Sequence, residues 1–543
     1  MCRVYAFGGH TLHTHKKRYL SPNFKHMETN KLYGYLHSAA FFAGVALIVV
    51  YFNYADISQY GPFSLHNWRQ ADGASIARCY YENDMRFFQP KVHHVLGGDN
   101  AAVGEFPILY YIAAGLYHFF GPHDVILRLL VFGCFTAGLW AWSKMLLRWL
   151  GSPFLSVALP LAFYGSPLLA FYGFNFLPNP AALGLGLVGA YGLMRYWENP
   201  NRDRLLFAAA FLLLGGLLKV SLLIIPIAAI GVAKWLYFVG DREKYFPDKK
   251  AFWNWLWAGA AVVGITMLWY LWASHYNKSH HSGLLMTTIM PIWKMPKEEI
   301  RRYAYEIYMW YHSIYFQKYG IWAFLALLPI LLAMPRQFAR PVYVLYLLVL
   351  LGSAAFLVLF YNQILVHHYY IIDIMPLAML VFSMAVWWLH QKLGGRLRSV
   401  VLPAGVALFA LISLAYGQKH LSDYYGNDQY IAPFNRSFTK QKELQEFMKE
   451  KGLTYDSTLA VVAPDVTPNV SLYYLNVKGW NTRPDENLSN ADLERYALWR
   501  ATTLVLSDTS YLSRPDMDQW LKHPIGVFDN SIYFYDIRPH WPE

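Results

Sequence analysis

The sequence predicts a polytopic α-helical membrane protein of about eleven transmembrane helices followed by a C-terminal soluble α/β domain. Three observations carry this expectation. Of 543 residues, 56% are hydrophobic and only 15% are charged, a balance that belongs in lipid rather than in water. Apolar runs long enough to cross a bilayer at about 1.5 Å per residue alternate with short connections rich in Lys and Arg. Beyond residue 417 the composition becomes that of a soluble protein.

The formal net charge of +12 arises largely in those connections, as expected where basic residues stay on the cytoplasmic side. No basic-aromatic module accompanies it, so nucleic acid is not an expected partner. The 20 Trp, 42 Tyr and 35 Phe fit aromatic belts at the two membrane interfaces. Cys2, Cys79 and Cys134 are scattered, which argues against a disulfide framework or a cysteine metal site.

In chain order, residues 1–35 read as a basic cytoplasmic tail carrying His10, His13, His15, Lys16, Lys17 and Arg18. A signal peptide is not expected, because the apolar run starts late and no small-residue cleavage site follows. The first span, 36–54, leads into an outer loop, 55–123. Within that loop the apolar run 108–120 is short for a crossing and reads as half-embedded. Skipping it lets 125–147, 153–173 and 178–197 alternate so that Lys144, Arg148, Arg195, Arg202 and Arg204 all face inward. The stretch 205–239 reads as two spans with Lys219 near the outer surface between them. A span at 252–273, an outer loop at 274–318 and spans at 319–334, 341–361, 369–389 and 398–416 complete the membrane domain, 36–416. The remainder, 417–543, falls outside by parity. Helical periodicity at 440–451 and 491–500 and strand runs at 457–462, 503–506 and 532–535 make it a small α/β domain. No Gly-rich nucleotide fingerprint follows a strand, so support or acceptor selection is expected of it rather than chemistry.

The polar island nearest the first span is His66-Asn67-Trp68-Arg69-Gln70-Ala71-Asp72. Asn67 and Gln70 have capping-box spacing, which predicts a helix over 68–81 with Arg69, Asp72 and Ile76 along one face. A carboxylate there, flanked by Arg69 and Arg78, suits a general base for an acceptor hydroxyl, with the arginines binding an anionic leaving group such as a phosphate. The plainer alternative is an i,i+3 ion pair between Arg69 and Asp72. Glu105 is either a second acid or the polar end of an amphipathic helix. Further candidates for binding an anion are Lys91, Lys219 and the pair His367 and His368; snorkelling and ordinary interfacial packing are the alternatives for Lys219 and the histidines. Asp373, inside a later apolar run, reads as a functional acid or as the partner of one of these cations. The set Trp253, Trp255, Trp257, Trp269 and Trp272 reads as packing and interface belt.

Taken together, the single span, the acidic outer-loop helix, Glu105-Phe106-Pro107, Phe119-Phe120-Gly121 with Leu127-Arg128-Leu129, and His368-Tyr369-Tyr370 with Pro376 resemble the GT-C glycosyltransferases. The branch of protein mannosyltransferases and lipid A aminoarabinose transferases, which use sugars linked to a polyprenyl phosphate, is the most similar. The resemblance implies an inverting transfer from a polyprenyl-phosphate sugar donor to a lipid, glycan or protein acceptor at the outer face of a bacterial inner membrane, facing the periplasm. Asp72 is the match for the acid near the acceptor. Two positions depart from the pattern. Asn179, in Phe176-Leu177-Pro178-Asn179-Pro180, stands where a second Asp is expected, so a divalent metal stays open and no cofactor is assigned. Phe106 stands where the aminoarabinose branch has Lys, so the phosphate needs another cation. A transporter or flippase of lipid-linked sugars is the alternative; the paired repeats that would mark it are not seen in the sequence.

Overall fold

The computed structural model describes residues 31–96, 99–240, 246, 249–285, 289–426, 436–483 and 488–542. Most of the expected basic tail, the Gly97-Gly98 turn, Arg242 and Lys244 lie outside the described residues. All eleven expected spans are helical. They are α1 (Lys31–Tyr51), then, after a helix α2 (Asn67–Glu82), a hairpin β1 (Lys91–Leu96) and β2 (Asp99–Ala101), and a short helix α3 (Ile108–Phe120), the series α4 (Asp124–Leu150), α5 (Pro153–Tyr164), α6 (Pro178–Glu198), α7 (Arg202–Leu218), α8 (Ile224–Phe238), α9 (Lys249–Ser279), α10 (Lys318–Leu332), α11 (Arg340–Leu359), α12 (Met375–Lys392) and α13 (Leu402–Gly426). Seven of them, α1, α4, α8, α9, α11, α12 and α13, are long and apolar enough to cross a membrane by length and composition, counting the short 3₁₀ turns that lead into α8 and α12 and the π-helical turn that leads into α13. The remaining four are shorter or carry more polar ends.

Local chemistry sets many of the boundaries. Proline occupies the first turn of α5, α6, α11 and α12, where its missing N–H is no loss and its fixed φ suits a helix start. Ser152 Oγ accepts from Leu155 N at the start of α5, satisfying an otherwise orphaned donor. Between α4 and α6 the backbones nearly touch: a Cβ on Gly184 would lie 2.1 Å from Cys134 O. In lipid, where apolar surface gives no drive to associate, such close approach of small residues supplies the packing. Arg128 is fully buried in α4, yet its guanidinium donates to Phe174 O, Tyr60 O and Gly61 O, so the Leu127-Arg128-Leu129 motif ties α4 to the loop before α2 and to the segment before α6.

Helix α3 buries Leu109, Tyr110, Ala113, Ala114 and Tyr117 and exposes Ile112, Phe119 and Phe120. Its apolar character on both faces fits a segment lying at the membrane boundary, with one face on α2 and the other toward lipid. In the Trp set, Trp255 and Trp269 are buried, Trp272 is half-buried, and Trp253 and Trp257 are exposed.

Helix α13 runs on past residue 417 to Gly426 before the C-terminal domain begins. That domain holds α14 (Gln441–Glu450), β3 (Leu459–Ala463), α15 (Val470–Leu475), β4 (Lys478–Asn481), α16 (Asn490–Leu498), β5 (Thr503–Leu506), β6 (Pro524–Phe528) and β7 (Ile532–Asp536). Its sheet is not self-contained. The strand order is β2-β1-β4-β3-β5-β7-β6, so the hairpin of the first outer loop supplies two of the seven strands. The pairs β1–β4, β4–β3 and β3–β5 are parallel and the outer ones antiparallel. Alternate residues of β3 and β5 face two apolar layers: Val462 and Val505 with Leu444 and Phe534 on one side, Val461 and Leu504 with Leu493 and Trp520 on the other, as the period of two requires. Ala71 of α2 belongs to the first layer. Helix α2 is therefore clamped between the spans and the sheet.

Candidate active site

Helix α2 starts after His66, whose φ of 52° is left-handed, and no side chain caps it. The capping box expected of Asn67 and Gln70 does not form. Gln70 is fully buried; its amide donates to Phe63 O and Leu65 O, both at 2.7 Å, and accepts from Phe63 N. The loop before the helix has carbonyls to satisfy away from water, and that demand takes Gln70 away from the helix end.

Arg69, Asp72 and Glu105 are each at least nine-tenths buried. The expected alternative of an Arg69–Asp72 ion pair is not what forms. Arg69 Nη2 meets Glu105 Oε1 at 2.5 Å, and the Tyr110 hydroxyl donates to the same oxygen. Burial raises the proton affinity of Glu105, but the Arg69 guanidinium, Lys219 and the Tyr110 hydroxyl outweigh it and bring the carboxyl down to about 2. Arg69 Nη1 is buried with no hydrogen-bond partner among the described residues, a costly state that invites an anion.

Asp72 has the opposite poise. Its Oδ1 accepts from Asn469 Nδ2 at 2.9 Å, while Oδ2 has no hydrogen-bond partner among the described residues. Burial lifts its carboxyl to about 6, against the lowering effect of Arg69 and of the Asn469 amide, with Glu105 adding to the rise. Two neighbouring carboxyls pushed apart in this way is the usual pattern where one has to exchange a proton and the other has to hold a cation.

Lys219 follows α7 in the break before α8, half-buried, with its ammonium 5.5 Å from the centre of the Tyr370 ring. It lies in the same electrostatic environment as Glu105, Arg69 and Asp373. Asp373, read from the sequence as a functional acid or the partner of a cation, has Lys219 in its electrostatic surroundings, and its hydrogen bonds come from Asn179 Nδ2 at 2.8 Å and Ser221 Oγ at 2.7 Å. Asn179 thus stands beside a carboxylate delivered from another segment. These groups do not fit a divalent ion, since the oxygens of Asp373 face an amide and a hydroxyl donor and Glu105 Oε1 faces a guanidinium. Among the described residues, no group of three or more His, Cys, Asp or Glu is placed to hold a metal.

The two later histidines join a third that the sequence did not single out. His66 Nδ1 is 2.6 Å from the Tyr172 hydroxyl, which is 3.1 Å from His368 Nε2, and His66 Nε2 lies 2.9 Å from Val366 O. His367 packs over Trp68, ring centres 5.0 Å apart. Burial lowers His66 to about 4, so it is neutral near pH 7.

The remaining candidates lie elsewhere. Arg78, expected to flank Asp72 as an anion binder, faces the other way: its Nε bonds Glu82 Oε1 at 2.8 Å and Asn476 Oδ1 at 3.1 Å, which ties α2 to the C-terminal domain. Lys91 opens β1 and is half-buried, with no contact to the Asp72 group among the described residues. Sequence reading missed Tyr110, Tyr172, Ser221 and Asn469. For the last no local signal exists, because 397 residues separate it from Asp72.

No protein-family model and no curated protein matches the sequence. Solved structures do match its fold. Two crystal structures of ArnT from Cupriavidus metallidurans, in the apo state and bound to undecaprenyl phosphate, align with TM-scores of 0.58 and 0.59 at 13% and 14% identity, covering 93% of this chain and 99% of theirs. The chain has the GT-C glycosyltransferase fold. The Archaeoglobus fulgidus oligosaccharyltransferase, in a complex with zinc and sulfate, aligns with a TM-score of 0.51 at 12% identity over 91% of this chain and 74% of that one. At these identities the GT-C likeness speaks to architecture, and the chemistry has to be argued from the Asp72 group itself.

Proposed function

We propose that this chain is a membrane glycosyltransferase that takes a sugar from a polyprenyl-phosphate donor and places it, with inversion, on a lipid, glycan or protein acceptor at the periplasmic face of a bacterial inner membrane. One observation carries the reading: a carboxyl poised near 6, its Oδ1 held by Asn469 and its Oδ2 without a hydrogen-bond partner among the described residues, stands beside a buried guanidinium whose Nη1 likewise has none among them. A phosphate-leaving displacement needs that pair of functions. The acceptor hydroxyl gives its proton to Asp72 as its oxygen bonds the anomeric carbon, the carbon–oxygen bond to phosphate breaks, and the electron pair leaves on the phosphate, where Arg69 and Lys219 meet the growing charge. A single in-line displacement inverts the anomeric centre. Glu105 holds Arg69 in place, and His367 and His368 line the approach from the α12 side. The undecaprenyl phosphate bound to the ArnT of similar fold supports the donor class.

The test is turnover of a panel of polyprenyl-phosphate sugars by the full chain in lipid vesicles, with free polyprenyl phosphate and the anomeric configuration of the product as readouts. Release with inversion supports the reading. Retention of configuration removes the single-displacement mechanism. No release from any donor, with the lipid-linked sugar nonetheless crossing the bilayer, replaces the enzyme with a transporter.

A further inference from the structure

The active carboxylate of the membrane domain is held from outside that domain. Asn469 is fully buried and precedes α15 without capping it, so its side chain is not used by its own helix. Its Oδ1 accepts from His94 N of β1 at 2.9 Å, which fixes the amide so that Nδ2 points at Asp72 Oδ1. Strand β1 in turn pairs with β4, next to α15 in the chain, at His94 and Gly479. The hairpin, the C-terminal domain and α2 thus form one braced unit, in which Arg78–Asn476 is a second tie and Asn469–Asp72 the bond that reaches the carboxylate.

We propose that Asn469, carried by the C-terminal domain, is a positioning residue for Asp72: its amide fixes the rotation of the carboxylate so that Oδ2, and not Oδ1, faces the acceptor hydroxyl. This rests on Asp72 acting as the base. The groups facing Asp72 are Arg69 on its own helix, Glu105 from the segment before α3, Tyr369 from the turn before α12, and Asn469. Of these, Arg69 and Asn469 favour the ionised form, and Asn469 alone makes a direct hydrogen bond to it. The C-terminal domain is then part of the catalytic apparatus.

Asn469→Asp separates this role from a merely structural one. It keeps the size and the acceptor for His94 N–H, and replaces only the donating amide with an oxygen. Two carboxylates then face each other and must share a proton, which raises the pH at which the pair ionises. The primary readout does not need activity: carbodiimide labelling of Asp72 in the full-length protein, followed by peptide mass spectrometry across pH, because the reagent attacks protonated carboxyls. The expected result is a labelling midpoint higher by about one pH unit or more in Asn469→Asp, and a smaller rise in Asn469→Ala, which removes the donor without adding charge. In turnover, the acid limb of kcat should move by the same amount, KM for the donor should stay as in the native chain, and activity should return at higher pH. Labelling midpoints unchanged in both variants would overturn the proposal, as would a loss of turnover that no pH restores. If the native chain turns over no donor, the proposed function fails while the labelling midpoints still decide the role of Asn469.

Discussion

Asp72→Asn should make the protein inactive and more stable at the same time. The substitution keeps the side chain's shape, and the Asn469 amide can still donate to the oxygen in the Oδ1 position. What changes is charge. Burial lifts the carboxyl from an ordinary 3.8 to about 6, so its ionised form is disfavoured in the fold by about 3 kcal/mol at roughly 1.4 kcal/mol per pH unit. Between those two values the unfolded chain has released the proton while the folded chain still holds it. The stability this group contributes is therefore complete below pH 3.8 and lost as pH rises through 6. An amide has no such loss, so the variant should exceed the native chain by up to about 3 kcal/mol at pH 7 and converge with it near pH 4. Activity moves the other way. Removing a general base lowers turnover by about 10²- to 10⁴-fold, equivalent to roughly 3–5.5 kcal/mol on the barrier. Thermal unfolding in detergent from pH 4 to 8 measures the first effect, and donor turnover in vesicles the second. Native-like turnover in Asp72→Asn, or a stability deficit at pH 7, would refute the assignment of a buried, strained base.

Further outcomes follow from the same geometry. The value of kcat/KM should rise with pH through about 6 as Asp72 loses its proton, and Glu105→Gln should lower that midpoint, since Glu105 is a neighbour that disfavours the Asp72 charge; a pH–rate profile checks both. Arg69→Met leaves Glu105 buried without its cation and should destabilise the fold by about 3–5 kcal/mol; adding Glu105→Gln should restore stability in unfolding measurements without restoring turnover. Gly73→Ala would place a Cβ 2.9 Å from Tyr110 Cε1 and push that ring from Glu105, with an expected loss of about 1–3 kcal/mol in thermal unfolding and a weaker KM for the donor. Gly184→Ala should disrupt the α4–α6 crossing more severely, because the contacts are backbone atoms that cannot rotate away; yield of folded protein in detergent would show it.

The likeness to ArnT and the archaeal oligosaccharyltransferase is one of architecture, and two positions of this chain depart from the pattern its sequence resembles. Phe106 takes the place of an expected lysine; the cation acting on Asp72 is Arg69, one turn back on α2, while Lys219, in the break between α7 and α8, lies near Glu105 and Asp373. Asn179 takes the place of an expected acid, and a carboxylate, Asp373, reaches it from the turn before α12.

What the sequence by itself determined is the material of each segment. The helices at the eleven expected spans, the short apolar α3, helix α2 and the strands β3, β5 and β7 were legible because transfer of a side chain from water to lipid, and the periods of helix and strand, depend on residues within a few positions of one another. Asp72, Arg69 and Lys219 stood out for the same local reason, as charges bordering apolar runs. Only the tertiary structure decided how those charges are partnered. It gave Arg69 to Glu105 rather than to Asp72 three residues away, turned Arg78 toward Glu82 and Asn476, drew the β1–β2 hairpin into a sheet completed more than 350 residues later, and brought Asn469 onto Asp72. A buried charge takes whichever partner the packing leaves beside it once water is gone, and in a medium of low polarity that choice outweighs proximity in sequence.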